Sequence, residues 1–316
     1  MKRALTIAAA AKINLGLEIG APRDDGYHPI ASIFHSVGIE DEIACEVGDG
    51  EGIAVEGRFD CAPEATTVWK AARLFLERTG ERCRVRLSVR KAIPAMAGLG
   101  GGSADAAATI AALDRLLGTK LDVGAMRAIG GGIGADVPFF LPGGAAIVSG
   151  LGEIVEPIPP RPELGIVLAM PPFGVATKWA YSELDAFRRS PAVSAQSGLL
   201  ACGSEPPDLG ARKAALASMF RRPVAEWDFA NSFEPMLRAK YPVYGGLAEI
   251  LGRAGAQYAA ITGSGACMYG VFSCFDMARA ACERLEALRR SSGGPNTLSG
   301  MVLHAVKPLE TSIFLR

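Results

Sequence analysis

Pro94-Ala-Met-Ala-Gly-Leu-Gly-Gly-Gly-Ser103 sets Gly98, Gly100, Gly101 and Gly102 directly before an alanine-rich run. Without Cβ atoms the backbone there can curl and aim successive N–H groups at one anion. A helix expected over Ser103 to Leu117, stopped by Gly118, adds the positive end of its dipole and the unpaired N–H groups of its first turn. The stretch reads as a phosphate cradle, with a plain surface loop as the alternative. It is not a P-loop, because no Gly-Lys-Ser/Thr ending follows. Gly98-Leu-Gly has the spacing of a dinucleotide fingerprint, but Asp122, at the distance of its acidic residue, sits in Leu-Asp-Val-Gly and looks like a helix start.

Three further groupings carry polar chemistry. Alternation in Lys12-Ile-Asn-Leu-Gly-Leu-Glu-Ile19 puts Lys12, Asn14 and Gly16 on one face of a strand and Ile13, Leu15 and Leu17 on the other. Lys12 and Asn14 together can hold a hydroxyl and balance phosphoryl charge; the alternative is a solvated outer face. In Gly131-Gly-Ile-Gly-Ala-Asp-Val-Pro-Phe-Phe140, Asp136 is placed to accept a hydroxyl proton, or, alternatively, to cap the next turn. Asp24-Asp-Gly-Tyr-His-Pro29 joins a turn to two rings, Tyr27 and His28, suited to a planar base or simply to a loop. The three histidines, His28, His35 and His304, have no zinc spacing, so no protein-held metal is expected, and Ser264 in Thr-Gly-Ser-Gly lacks a histidine partner.

The elements around these groups come next. The chain of 316 residues, 49% apolar, can fill one large or two ordinary cores. Its 33 basic and 33 acidic residues balance, which gives no reason to expect nucleic acid or an anionic membrane as partner. Seven scattered cysteines without a CxxC pair read as reduced thiols in the cytoplasm. Met1-Lys-Arg followed by an apolar run superficially resembles a signal peptide, yet it flows into an alternating strand without a break. No run approaches a membrane span, and nothing signals an oligomeric state. Strands are expected over Lys12 to Ile19, Ile39 to Val47 and Val85 to Val89, and a helix over Thr66 to Arg78. Pro157-Ile-Pro-Pro-Arg-Pro162 marks the domain boundary. Beyond it come a strand at Leu164 to Met170, helices over Glu234 to Gly252, strands at Tyr258 to Thr262 and Cys267 to Phe272 around a tight Gly263-Ser-Gly turn, a helix over Asp276 to Arg290 and a last strand at Met301 to Val306. Ser190 to Arg212 reads as a mobile loop.

Together these segments resemble the GHMP kinase superfamily, in its order and across nearly the whole chain. Ala11-Lys-Ile-Asn-Leu with Asp25-Gly-Tyr-His resembles its first motif, Pro94 to Ala107 its phosphate loop, Gly134-Ala-Asp-Val-Pro-Phe-Phe its catalytic segment, and Thr262-Gly-Ser-Gly-Ala its third motif. Gly-Tyr-His and Gly-Ala-Asp-Val-Pro resemble the branch that acts on a cytidine-diphosphate-linked methylerythritol in non-mevalonate isoprenoid synthesis, rather than the mevalonate, homoserine or galactose kinases.

The resemblance implies an α+β fold: a ribosomal protein S5 domain 2-like, ATP-binding domain over 1–156 and a ferredoxin-like domain over 163–316, with the active site between them. It implies a small-molecule substrate and transfer of the γ-phosphoryl group of ATP to its 2-hydroxyl, with Mg²⁺ carried by the nucleotide. Asp136 would be the general base, Lys12 would balance charge and Asn14 would orient the acceptor. Tyr27, His28 and Tyr181 would hold the cytosine, Thr177 would lie near the diphosphate, and Pro94, Ala97, Gly98, Leu99, Gly100, Gly101, Gly102 and Ser103 would wrap ATP. The chain departs from the commonest pattern at Ala104, where a second serine is frequent, and at Thr66, in the place of an adenine-contacting asparagine. Its Ser190 to Arg212 segment is also longer than the resemblance leads one to expect. Another kinase of the superfamily and a non-catalytic nucleotide-binding regulator stand as alternatives; a regulator has no need of a base.

Overall fold

The computed structural model describes residues 3–190, 209–291 and 294–316. Most of the loop expected over Ser190 to Arg212 lies outside the described residues. Its last residues open a helix, Leu209–Arg221, whose apolar residues do not gather on one face and so give little helical signal.

The first sheet contains β1 (Arg3–Ile19), β2 (Ile30–Gly48), β3 (Gly52–Gly57), β4 (Arg84–Arg90), β5 (Ala145–Gly150) and β6 (Ile154–Ile158). The long β2 pairs with β1 along its length, with β5 through its first half and with β4 through its second. Helices α1 (Thr67–Thr79), α2 (Gly101–Leu117), α3 (Val123–Gly131) and the single turn α4 (Val137–Phe140) pack together, with α2 on β1 and β2. Thr66, one residue earlier than α1 begins, is its N-cap and accepts from the Trp69 N–H.

A second, antiparallel sheet holds β7 (Gly165–Met170), β8 (Tyr258–Ile261), β9 (Met268–Phe272) and β10 (Val302–Val306) in the order β10-β7-β9-β8. The helices of this half are α5 (Thr177–Arg189), α6 (Leu209–Arg221), which packs on β2 and β5 of the first sheet, α7 (Glu234–Lys240), α8 (Val243–Arg253) and α9 (Phe275–Arg290). The helices expected over Glu234 to Gly252 are two, α7 and α8. Pro242 has no N–H to continue the ladder, so the chain breaks at Tyr241-Pro242. A final strand, β11 (Ile313–Leu315), leaves this half and pairs with β1 in the first sheet.

Both faces of β1 are covered, which is why the strand is apolar almost throughout. Ile7, Ala9 and Leu17 belong to the core under the helices, while Ala11, Ile13 and Leu15 pack with Ile166, Leu168, Tyr269 and Val271 of the second sheet. The two sheets thus share one apolar layer. The strict alternation expected through Gly16 does not persist. A bulge between Leu15 and Leu17 shifts the register, and Gly16 leaves the face shared by Lys12 and Asn14.

His35 sits where the two halves meet. Its Nδ1 donates to the Ser36 carbonyl and its Nε2 accepts the Arg161 N–H, so the neutral ring is fully used. Burial pushes its pKa down to about 4. The unfolded chain therefore binds this proton more tightly, and stability should fall as pH drops from about 6.5 to about 4, by roughly 3 kcal/mol. Denaturant unfolding at pH 7 and pH 4.5 checks this, and His35→Gln should flatten that part of the profile.

Candidate active site

A cleft of about 520 Å³ opens between the glycine run and the second half of the chain, within the range of small-molecule sites. The glycine run forms its floor. Gly98 has φ of +75°, and a Cβ there would lie 2.2 Å from the Thr262 carbonyl oxygen. Gly100, at +73°, sits so close to Phe140 and the Lys12 stem that a Cβ would lie 2.8 Å from the phenylalanine ring. These left-handed turns feed directly into α2 at Gly101, leaving the N–H groups of Gly101 and Gly102 at the cleft without carbonyls one turn back. Backbone bonds fix the approach: Lys12 N–H donates to Leu99 O, Cys267 N–H to Ala97 O and Val175 N–H to Met96 O.

Gly98→Ala should therefore destabilise the fold by roughly 3 kcal/mol or more, because the neighbours are backbone atoms that cannot swing away. Gly102→Ala should be tolerated, since its Cβ would meet only the Thr67 side chain at 3.4 Å. Urea unfolding of the two variants side by side separates these effects.

Lys12 and Asn14 are 3% and 2% exposed, so the solvated outer face is not what the strand presents. Lys12 Nζ donates to Asn14 Oδ1 at 2.5 Å, and Asn14 Nδ2 donates to Ser32 Oγ at 3.1 Å, which orients the amide. The Asn14 backbone is held from the other half of the molecule: its N–H donates to Thr262 Oγ1 at 3.0 Å, and its carbonyl accepts from Tyr269 OH at 2.8 Å. Asp136 Oδ2 lies 3.7 Å from Lys12 Nζ, with about a third of its side chain exposed to the cleft. It stands at the N-cap position of α4 but makes no side-chain capping bond, so the capping alternative does not hold. Burial pulls the Lys12 ammonium below the usual lysine value, and Asp136 opposes that shift.

The other expected residues divide. Pro94, Ala97, Leu99, Gly101, Gly102, Ser103, Thr177 and Tyr181 line the same cleft as Lys12, Asn14, Gly98, Gly100 and Asp136. Thr177 Oγ1 lies 3.2 Å from Ser264 Oγ of the Gly263-Ser-Gly turn. Tyr27 is 65% exposed in its turn, and His28 is buried behind Tyr181; neither is among the residues lining the cleft. Ala104 is buried in the core, and Thr66 lines the cleft.

One charged cluster went unread in the sequence. Lys91 reaches both Asp41 and Asp105, the latter at 2.7 Å, at the base of α2. Burial, with help from Asp41 and against Lys91, pushes the Asp105 carboxyl up to about 7. Lys91 belongs to no motif in the sequence; only folding brings β2, β4 and α2 together around it. The ammonium is committed to two carboxylates, which leaves Lys12 as the cation facing Asp136.

The profile of the GHMP kinases N terminal domain matches residues 66–144, from the α1 cap through the glycine run to just beyond α4. The 4-diphosphocytidyl-2-C-methyl-D-erythritol kinase of Nitratidesulfovibrio vulgaris (strain DP4) is 37% identical over 293 residues, covering 90% of this chain and 96% of that one. The chain belongs to this kinase family. The enzyme of the same name from Treponema pallidum (strain Nichols) is 35% identical over 271 residues, covering 85% and 90% of the two chains. A solved 4-(cytidine 5'-diphospho)-2C-methyl-D-erythritol kinase superposes with a TM-score of 0.72 at 28% identity, covering 98% of this chain and all of that one. Homoserine kinase from Cytophaga hutchinsonii shares the fold at 18% identity, with a TM-score of 0.73 over the whole of this chain and 98% of its own. The α+β architecture expected from the sequence is thus that of the GHMP kinases. GHMP kinases use ATP as phosphoryl donor.

Proposed function

We propose that this GHMP kinase transfers the γ-phosphoryl group of ATP to the 2-hydroxyl of 4-diphosphocytidyl-2-C-methyl-D-erythritol, with Asp136 as general base. The observation that carries the reading is the Lys12–Asp136 pair, 3.7 Å apart and facing the glycine cradle across one cleft. Asp136 accepts the hydroxyl proton as the oxygen attacks the γ-phosphorus, the bond to the bridging oxygen breaks, and ADP leaves. Lys12 supplies positive charge beside the transferring group. Asn14, its amide fixed by Lys12 and Ser32, keeps a second Nδ2 proton for the acceptor. The protein's work is chiefly positioning and charge balance.

Mg²⁺ would arrive with the nucleotide, and the Ser103 hydroxyl, which lines the cleft beside the cradle, suits a hard cation held mainly by phosphates. It would neutralise phosphate charge as the reaction proceeds. Tyr181 offers its ring to the cytosine, and Tyr27 and His28 belong to the same subsite. The first domain, 1–156, then contributes the cradle with Lys12, Asn14 and Asp136, and the second, 163–316, contributes Thr177 and Tyr181, with β11 returning to the first sheet. A cytoplasmic location forms part of the same reading, supported by cysteines that are free among the described residues. No helix among the described residues is long and apolar enough to cross a membrane.

Phosphorus NMR of the product tests the reaction and its position together. The 2-carbon bears a methyl group and no hydrogen, so the new phosphomonoester should show no phosphorus–proton coupling through it. A multiplet would place the phosphate on another hydroxyl, and no new phosphomonoester would overturn the reading.

A further inference from the structure

One face of α5 does more than carry Tyr181. Thr177, Tyr181, Asp185 and Arg188 follow at intervals of four, four and three residues and so lie along one side of the helix. Tyr181 meets the His28 ring at 5.1 Å between centroids, tilted by 33°. One turn on, Asp185 Oδ2 lies 3.4 Å from His28 Nε2. One turn further, the Arg188 guanidinium donates to two backbone carbonyls at the end of β1, Ile19 at 2.7 Å and Gly20 at 3.1 Å. The same Gly20 carbonyl accepts from His28 Nδ1 at 3.1 Å, and Gly20 N–H donates to Pro29 O at 2.8 Å. The 20–29 loop is therefore pinned at its neck by Arg188 and at its histidine by Asp185.

We infer that Asp185 and Arg188 are positioning residues for the planar base of the acceptor: they latch the 20–29 loop to α5 and press His28 against the back of Tyr181. The inference rests on the proposed function, in which Tyr181 receives the cytosine. At 5.1 Å the two rings are in contact, which leaves no room for a base between them. His28, only 8% exposed and with both nitrogens facing protein oxygens, is thus a backing layer that fixes the Tyr181 plane. Tyr181 is held from another side by Phe233, edge to face at 5.1 Å. Neither Asp185 nor Arg188 lines the cleft, so both act through the rings and the loop.

The test measures KM for 4-diphosphocytidyl-2-C-methyl-D-erythritol and for MgATP, together with cytidine diphosphate binding by calorimetry, in wild type, Asp185→Ala and Arg188→Ala. Loss of the latch should raise the acceptor KM and the cytidine diphosphate Kd by about three- to tenfold, as expected for a misplaced aromatic contact, with kcat and MgATP KM within about twofold. Asp185→Asn, which keeps an oxygen opposite His28, should recover most of the affinity. Should a variant prove unstable, the ratio of acceptor KM to MgATP KM in its folded fraction carries the result. An unchanged acceptor KM, or equal rises for both substrates, overturns the latch while leaving the proposed function standing. Wild-type protein that neither binds cytidine diphosphate nor uses the acceptor overturns both.

Discussion

Asp136→Asn should lower turnover by about 10²- to 10⁴-fold while MgATP affinity stays within about twofold of wild type. The asparagine keeps the size of the side chain but cannot take the hydroxyl proton. Because Asp136 makes no capping bond to α4 and a third of its side chain is exposed, the fold should hardly register the change. In the proposed function the nucleotide meets the backbone of Gly98 to Ser103, which the substitution does not touch. A single-turnover experiment at saturating MgATP isolates the chemical step from product release. A loss smaller than about tenfold there would remove Asp136 from the role of base.

Lys12→Met should give a protein as stable as wild type or more so, with turnover reduced by about 10²- to 10³-fold, the range for removing one preorganised donor. Burial lowers the Lys12 pKa from 10.5, so the native state holds that proton less tightly than the unfolded chain does. The charged ammonium thus costs stability at neutral pH, and wild-type stability should rise as pH climbs from the native Lys12 pKa towards 10.5. Methionine removes the buried charge, fills the same channel and can rest on the Phe34 ring, over which the ammonium now sits at 4.8 Å. The alkaline rise in stability should vanish in the variant. Thermal unfolding and turnover across pH 7 to 10 check both sides, and a variant that loses stability and activity together would show Lys12 to be structural.

Much of this site is legible in the sequence because it depends on local pattern. Alternation puts Lys12 and Asn14 on one face of β1, and the glycine run announces α2 and its anion-binding start. What local pattern cannot show is burial on both faces of a strand. The sequence leaves Lys12 and Asn14 open to a solvated face; Gly100, Ser32 and Phe34 close that face, while the second sheet packs on Ile13 and Leu15 behind it. The bulge at Gly16 is set by pairing with β2, which periodicity does not reveal. β11 is three residues long and owes its existence to the exposed edge of β1. Lys91, Asp41 and Asp105 are 14 to 64 residues apart and become a unit only in the fold. The break at Pro242, by contrast, was readable, since proline seldom continues a helix from within.

ADP release from MgATP tests the central claim most directly, with 4-diphosphocytidyl-2-C-methyl-D-erythritol offered beside mevalonate, homoserine and galactose to wild type and to Asp136→Asn. Strong stimulation by the cytidylyl acceptor alone, lost in the variant, is the predicted result. Stimulation by a different acceptor, or nucleotide binding with no turnover on any of them, would contradict it.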